Sequence, residues 1–172
     1  MKIDINKIEL KQINDNIYQI LHDNTVLKFW SPKILVPFGI DNEYNKYLIK
    51  LETDNNDLQH DHFKKIMLHI EKLIKTKLNV EDIEFKSIVK LRDKKNDIIE
   101  CRVKSVKNTI TTIVEYQDKT NNYLKTIFDL PKQSYVKAQI EIYGLWDYRT
   151  EKKEKNKIGL ICYINHLIVA DN

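Results

Sequence analysis

From residue 83 onward the apolar side chains recur at every second position, and this period-two alternation narrows the possible folds more than any other feature. In IEFKSIVKLR, residues 83–92, Lys86, Lys90 and Arg92 share one face of a strand while Phe85, Val89 and Leu91 take the other. IIECRVKSV repeats the device, with Ile99, Cys101 and Val103 inward and Glu100, Arg102 and Lys104 outward. NTITTIVEYQ and YLKTIFDL read as two further strands parted by a turn at DKTNN. In the run after them, Val136, Ala138, Ile140 and Ile142 face a core, leaving Lys137, Gln139, Glu141 and Tyr143 outside. Gly144 interrupts that run, where a glycine marks a bulge or the bend at a barrel corner.

The first half of the chain is patterned differently. Residues 1–24 scatter Ile3, Ile5, Ile8, Ile13, Ile17 and Leu21 without one clean period, which predicts an extended arm or short strands ahead of a single domain over 25–172. TVLKFWSPKILVPFGI, residues 25–40, is apolar and β-branched but broken by Pro32 and Pro37. It predicts an edge strand or a kinked crossing, since proline donates nothing to a ladder. KYLIKLE, 46–52, alternates as a strand. TDNNDLQHD then supplies helix-capping side chains, and Phe63, Ile66, Met67, Ile70, Leu73 and Ile74 recur at three and four residues, the stripe of one amphipathic helix. Strands, one helix, then strands predict a mainly β protein, a small closed or half-closed antiparallel barrel with one helix between its early and late strands.

A chain of 172 residues can bury a core of its own, and 42% hydrophobic with 31% charged residues describes a soluble globular protein. The net charge of +4 permits a polyanionic partner without demonstrating one. Cys101 and Cys162 each sit in an apolar alternation, as free buried thiols or as a disulfide pair. MKIDINKIELKQIND has acids where a signal peptide needs an apolar run, and no segment reaches membrane-spanning length, so an intracellular protein without a membrane partner is expected.

Catalytic signatures are absent: three glycines form no phosphate-binding loop, no GxSxG occurs, and the acid pair Glu81 and Asp82 falls in a loop-like context. A non-enzyme is expected. His60, His62 and His69 lack the CxxC or HxxxH company of a zinc site, and Cys101 points inward, away from any histidine base, so neither a metal nor a cofactor is expected.

What remains is a concentration of rings and cations. Trp30, Phe38, Tyr143, Trp146 and Tyr148 are the candidate stacking rings, with Tyr163 close to them in the last hairpin. Lys86, Lys90, Arg92, Arg102, Lys104, Lys137 and Arg149 are the candidate phosphate contacts, joined by a loop carrying Lys152, Lys153, Lys155 and Lys157 among Glu151 and Glu154. Rings and cations together are what hold a flexible nucleic-acid strand. If the strands pair, their cations form one continuous positive surface.

The series WSPKILVPFGIDNEYNKYLIKLE, FKKIMLHIEKL, IVKLRDKKNDIIECRVK and SYVKAQIEIYGLWDYRTEKKEKNKIGLICYINHLIV, from roughly residue 25 to 169, resembles the phage-type single-stranded DNA-binding proteins of large eukaryotic DNA viruses. The matching residues are Pro32, Pro37, Phe38 and Gly39, then Phe63 and Ile70, then Lys137, Ala138, Trp146 and Gly159. The resemblance implies an OB-fold that holds single strands in a basic groove. It does not carry over the acidic, aromatic-closed tail through which phage members recruit partners, since this sequence reads IVADN there. The expected function is to coat single-stranded DNA during replication, recombination or repair. RNA is an alternative ligand, and a homo-oligomer or replication proteins are the expected protein partners. A non-catalytic scaffolding barrel of a viral particle or assembly is the other reading.

Overall fold

The computed structural model describes residues 4–43, 46–80, 85–107, 109–117, 122–149 and 158–170. Glu81 and Asp82, most of the DKTNN turn and the loop lysines 152, 153, 155 and 157 lie outside them. In chain order the strands are β1 Ile8–Asn14, β2 Ile17–His22, β3 Leu27–Trp30, β4 Ile34–Val36, β5 Ile40–Glu43 and β6 Lys46–Glu52. Helix α1, Leu58–Leu78, is followed by β7 Phe85–Lys86, β8 Val89–Lys90, β9 Ile98–Val103, β10 Ser105–Val106, β11 Thr109–Ile110, β12 Ile113–Gln117 and β13 Asn122–Lys125. The long strands β14, Ser134–Asp147, and β15, Ile158–Ala170, come last.

Following the hydrogen-bonded neighbours β4, β6, β9, β15 and β14 leads back to β4, so these five strands close into a barrel. Closure pairs each of these five strands on both sides, leaving β1 and β13 at the ends of the sheet. Strand β15 reverses from β14 and arrives beside β9 and β12 running in their direction. Its pairings with β7, β9 and β12 are therefore parallel within an otherwise antiparallel barrel. The first hairpin, β1 with β2, adds to the barrel through β2 on β14, and Ile8 and Ile20 are buried in the same core as the barrel strands.

The helix follows from its local chemistry. The Asp57 carboxylate accepts from the backbone N–H groups of Gln59 and His60 at 2.7 and 3.2 Å, and Asn79 ends the helix in the left-handed conformation at φ 51°. Phe63, Met67, Ile70 and Ile74 form its buried stripe and join the barrel core, each contributing about 1.5–3 kcal/mol by leaving water. Glu71 faces the same way. Its carboxylate accepts from Ser87 Oγ and from the Ile88 N–H at 2.7 Å, while burial pushes its pKa above the usual range against those bonds and the nearby lysines.

Several strands expected to be continuous are broken. The described part of IEFKSIVKLR, residues 85–92, holds two two-residue strands, β7 and β8, because Ser87 turns aside to bond Glu71 and Val89. Leu91, expected inward, is 67% exposed, since the chain turns away where the Arg92 N–H donates to Asp97. NTITTIVEYQ splits at Thr112, whose hydroxyl donates to the Ile164 carbonyl and accepts from the Lys104 N–H. That leaves β11 in a separate ribbon with β10 and sends β12 to β15. YLKTIFDL stops being a strand at Lys125, where the Asp129 carboxylate accepts from the N–H and hydroxyl of Thr126 and winds residues 127–129 into a 3-10 turn.

Bulges interrupt the β14–β15 register at Gln139/Ile140 and Ile142/Gly144, the second at the expected glycine. A Cβ on Gly144 would lie 2.1 Å from the Tyr18 carbonyl oxygen, so glycine is what lets β2 dock on β14. Gly144→Ala is expected to cost about 3 kcal/mol, the upper end of overpacking penalties, and to free the β1–β2 hairpin. Chemical denaturation and limited proteolysis within residues 8–22 measure both effects.

Candidate nucleic-acid interface

The barrel register brings distant residues into rows on its outer face. Leu48 on β6, Arg102 on β9, Tyr163 on β15, Glu141 on β14 and Lys28 on β3 are successive cross-strand partners. Their inward-facing chain neighbours Ile49, Cys101, Ile140 and Leu27 fill the core. A second row runs Lys86, Gly159, Trp146, Ile17. The Trp146 indole lies over Gly159, where a Cβ would come within 2.7 Å of its ring. Trp146 leans on Tyr148 with ring centres 5.7 Å apart, and Tyr143 meets Tyr163 edge to face at 5.4 Å. Beside these pairs opens a groove of about 310 Å³ between β5, β6, β9 and β15, lined among others by Asn42, Lys46, Tyr47, Arg102 and Tyr163.

Among the described residues the cations at this groove have no ion-pair partner. The Arg102 guanidinium first, then partial burial, then Lys86 hold the Lys46 ammonium below the usual lysine range. Lys46, Lys86 and Arg102 therefore stand close enough to repel one another, and among the described residues none of the three has a carboxylate ion-pair partner. Burial pushes the Tyr163 phenol up against the opposing charge of Arg102, so it stays a neutral hydrogen-bonding ring.

The other candidate cations are held by the fold. Lys104 donates to both oxygens of Glu141 at 3.0 and 2.9 Å. Lys90, half-buried, donates to the Ser87 carbonyl at 2.6 Å, and burial lowers its pKa. Arg92 grips Glu52 at 2.9 Å and the Asn96 carbonyl, which closes the 92–97 turn. Arg149 is clamped on Asp147. The continuous positive surface expected from alternation is thus reduced, because Lys104 and Arg92 meet acids of other strands, Lys90 turns onto a carbonyl and Arg149 onto Asp147.

Of the candidate rings, Tyr143, Trp146 and Tyr148 are brought together on this face. Trp30 lies farther along β14, 43% exposed against the His166 ring, and Phe38 is exposed in the β4–β5 connection beside Gly39. Lys137 is exposed on the outer side of β14. Sequence reasoning left Lys46, Tyr47 and Leu48 out of the site. Their alternation in KYLIKLE was visible, but the register placing them opposite Arg102 was not.

The remaining candidates have structural partners. His60 accepts from the Asp54 N–H at Nδ1 and donates from Nε2 to the Lys33 carbonyl at 2.7 Å, tying the helix start to β4's approach. Among the described residues no group of three or more His, Cys, Asp or Glu side chains is placed to hold a metal ion. Cys101 and Cys162 are free and buried, and burial pushes both thiols up.

Five strands closing in this order, with an aromatic and basic outer face on β6 and β9, define an OB-type barrel, a fold whose second and third strands and adjoining loops bind oligonucleotides or oligosaccharides in other proteins. Among solved structures the chain is similar to gp2.5, a single-stranded DNA-binding protein encoded by bacteriophage T7, with a TM-score of 0.51 over 86% of this chain and 87% of that one. At 11% identity the likeness is one of fold. No family model matches the chain, and no curated protein matches it.

Glu141, only 2% exposed, provides a pH test. Burial opposes its charge, but hydrogen bonds from Lys104 and Asn165 and the charges of Lys104 and Lys28 outweigh it and hold the carboxyl below the usual range. A carboxyl depressed by folding stabilises the native state above its unfolded pKa of about 4.3, and the contribution is lost as pH falls through the lower folded value. Glu141→Gln is expected to be less stable at neutral pH and to lose less on acidification. Denaturant melts between neutral pH and strong acid read both changes.

Proposed function

We propose that this protein binds single-stranded DNA with little sequence preference across the face that carries the groove of Lys46, Arg102 and Tyr163 and, beside it, Lys86, Tyr143 and Trp146. The observation that carries the proposal is Lys46 within electrostatic reach of Arg102 and Lys86, none of the three in an ion pair among the described residues, near two pairs of aromatic rings. Mutual repulsion among the trio costs stability that a purely structural barrel has no reason to bear. A passing phosphate backbone relieves that repulsion and releases counterions, while the rings stack bases whatever their identity. The fold shared with the phage protein supports the same ligand class. In this reading the protein acts by binding. The finer setting, coating of DNA during replication, recombination or repair in the manner of proteins of large eukaryotic DNA viruses, rests on the sequence series from WSPKILVPFG to the final hairpin.

Titration of fluorescently labelled oligo-dT at two salt concentrations, with duplex and oligo-U competitors, tests this. Binding is expected to weaken steeply with salt and to resist duplex competition. Trp146→Ala is expected to weaken it by about 5- to 150-fold, the equivalent of about 1–3 kcal/mol of stacking per base. Lys46→Gln and Arg102→Gln are each expected to flatten the slope of log affinity against log salt by about 0.7. Salt-insensitive binding, or none at low salt, removes the proposal. Preference for oligo-U moves the ligand to RNA.

A further inference from the structure

A second group of exposed rings and cations lies outside the groove, on the same outer face. Trp30 is paired across the ladder with Gln139, which in turn faces His166. Continuing along β14, the outward residues are Lys137 and Tyr135, and Tyr135 is 42% exposed with the Lys33 ammonium 5.4 Å from its ring centre. Large rings exposed to this extent on a strand face stabilise the fold little where they stand, yet the backbone beneath them is firmly held. Ser31 donates its N–H to the Ala138 carbonyl and accepts the Ala138 N–H at its hydroxyl, pinning the kinked β3–β4 crossing to β14. Trp30 is steadied by the His166 ring at 5.4 Å, and His166 faces Glu115 at 3.3 Å. Among the described residues Lys33 and Lys137 have no carboxylate partner.

The ground between this patch and the groove is passable to an anion. Gln139 lies two residues along β14 from Glu141, so the Trp30 row is about 7 Å from the Tyr163 row, and Tyr135 is at most about 20 Å away. Among the described residues, Glu141 on this path is covered by Lys104 and Lys28 and hydrogen-bonded by Asn165, and Glu115 beside it lies 3.3 Å from His166 Nε2. A strand leaving Tyr143 and Tyr163 therefore crosses Glu141 where two lysines already cover it, and reaches Trp30 on the side of the His166 ring.

We propose that Trp30 and Tyr135, with Lys33 and Lys137, form a second stacking subsite that takes the further nucleotides of the strand held in the groove. This rests on the groove reading and extends it. Short oligonucleotides fill the groove alone; longer ones run on along the outer side of β14 and gain the second pair of rings.

The test compares labelled oligo-dT of about 5 and about 15 nucleotides, within the range covered by single OB folds. The proteins are the unaltered chain, Trp30→Ala with Tyr135→Ala, Lys33→Gln with Lys137→Gln, and Trp146→Ala. The ring variant is expected to bind the short strand normally and the long strand about 5- to 150-fold more weakly per lost stack. The lysine variant is expected to flatten the salt slope for the long strand alone, by about 0.7 per lysine. Trp146→Ala weakens both lengths. Unchanged affinity and salt slope for the long strand overturn the subsite and leave the groove standing. Equal losses at both lengths also overturn it, since the rings would then not form a separate subsite. If the unaltered protein binds neither length at low salt, the groove reading fails and the subsite falls with it.

Discussion

The pairing of β14 with β15, from Val136 opposite Val169 to Asp147 opposite Ile158, is the interaction on which the rest of the molecule depends. Strand β14 carries β4, β3 and β2 in turn along its other edge, while β15 carries β7, β9 and β12. Two strands of this length cannot stay flat while serving so many partners. The bulges at Gln139/Ile140 and Ile142/Gly144 supply the added bend, and they also decide which side chains stay outside. Tyr143 lies within one of them. The same irregularity that lets the barrel close therefore also sets where the Tyr143 ring meets Tyr163.

Charge on that face is divided between two uses. Lys104, Lys90, Arg92 and Arg149 each find a carboxylate or carbonyl close by, and their contribution is structural. Lys46, Lys86 and Arg102 are left facing one another. A net charge of only +4 conceals this, because the sum over the chain says nothing about which cations have been neutralised locally.

What could be read from the sequence was what local spacing determines. The stripe of Phe63, Met67, Ile70 and Ile74 and the cap at Asp57 are set within a few residues, and the helix is where they place it. The alternation of Val136, Ala138, Ile140 and Ile142 and the bulge at Gly144 are equally local. The failures came from distant partners. Thr112 breaks a strand through a bond to Ile164, 52 residues away, and Lys104 is neutralised by Glu141, 37 residues away. Leu91 was turned outward by a bond from the neighbouring Arg92 N–H to Asp97, a side chain that no periodicity assigns. The candidate rings of the last hairpin were legible as a group. The cation trio was not, since Lys46 meets Arg102 only through the register of β6 against β9.

The bond between Ala138 and Ser31 spans 107 residues of chain. Contacts of that reach require closing a long loop before they return any stabilisation, which places barrels of this kind among the slower-folding domains. The rows Leu48, Arg102, Tyr163, Glu141 and Lys28 are made of residues that only the closed ring makes adjacent. No partly folded form that lacks β14 and β15 has the groove, even with its helix and early strands in place. The groove is thus a property of completed topology, assembled only when the ring of strands has closed.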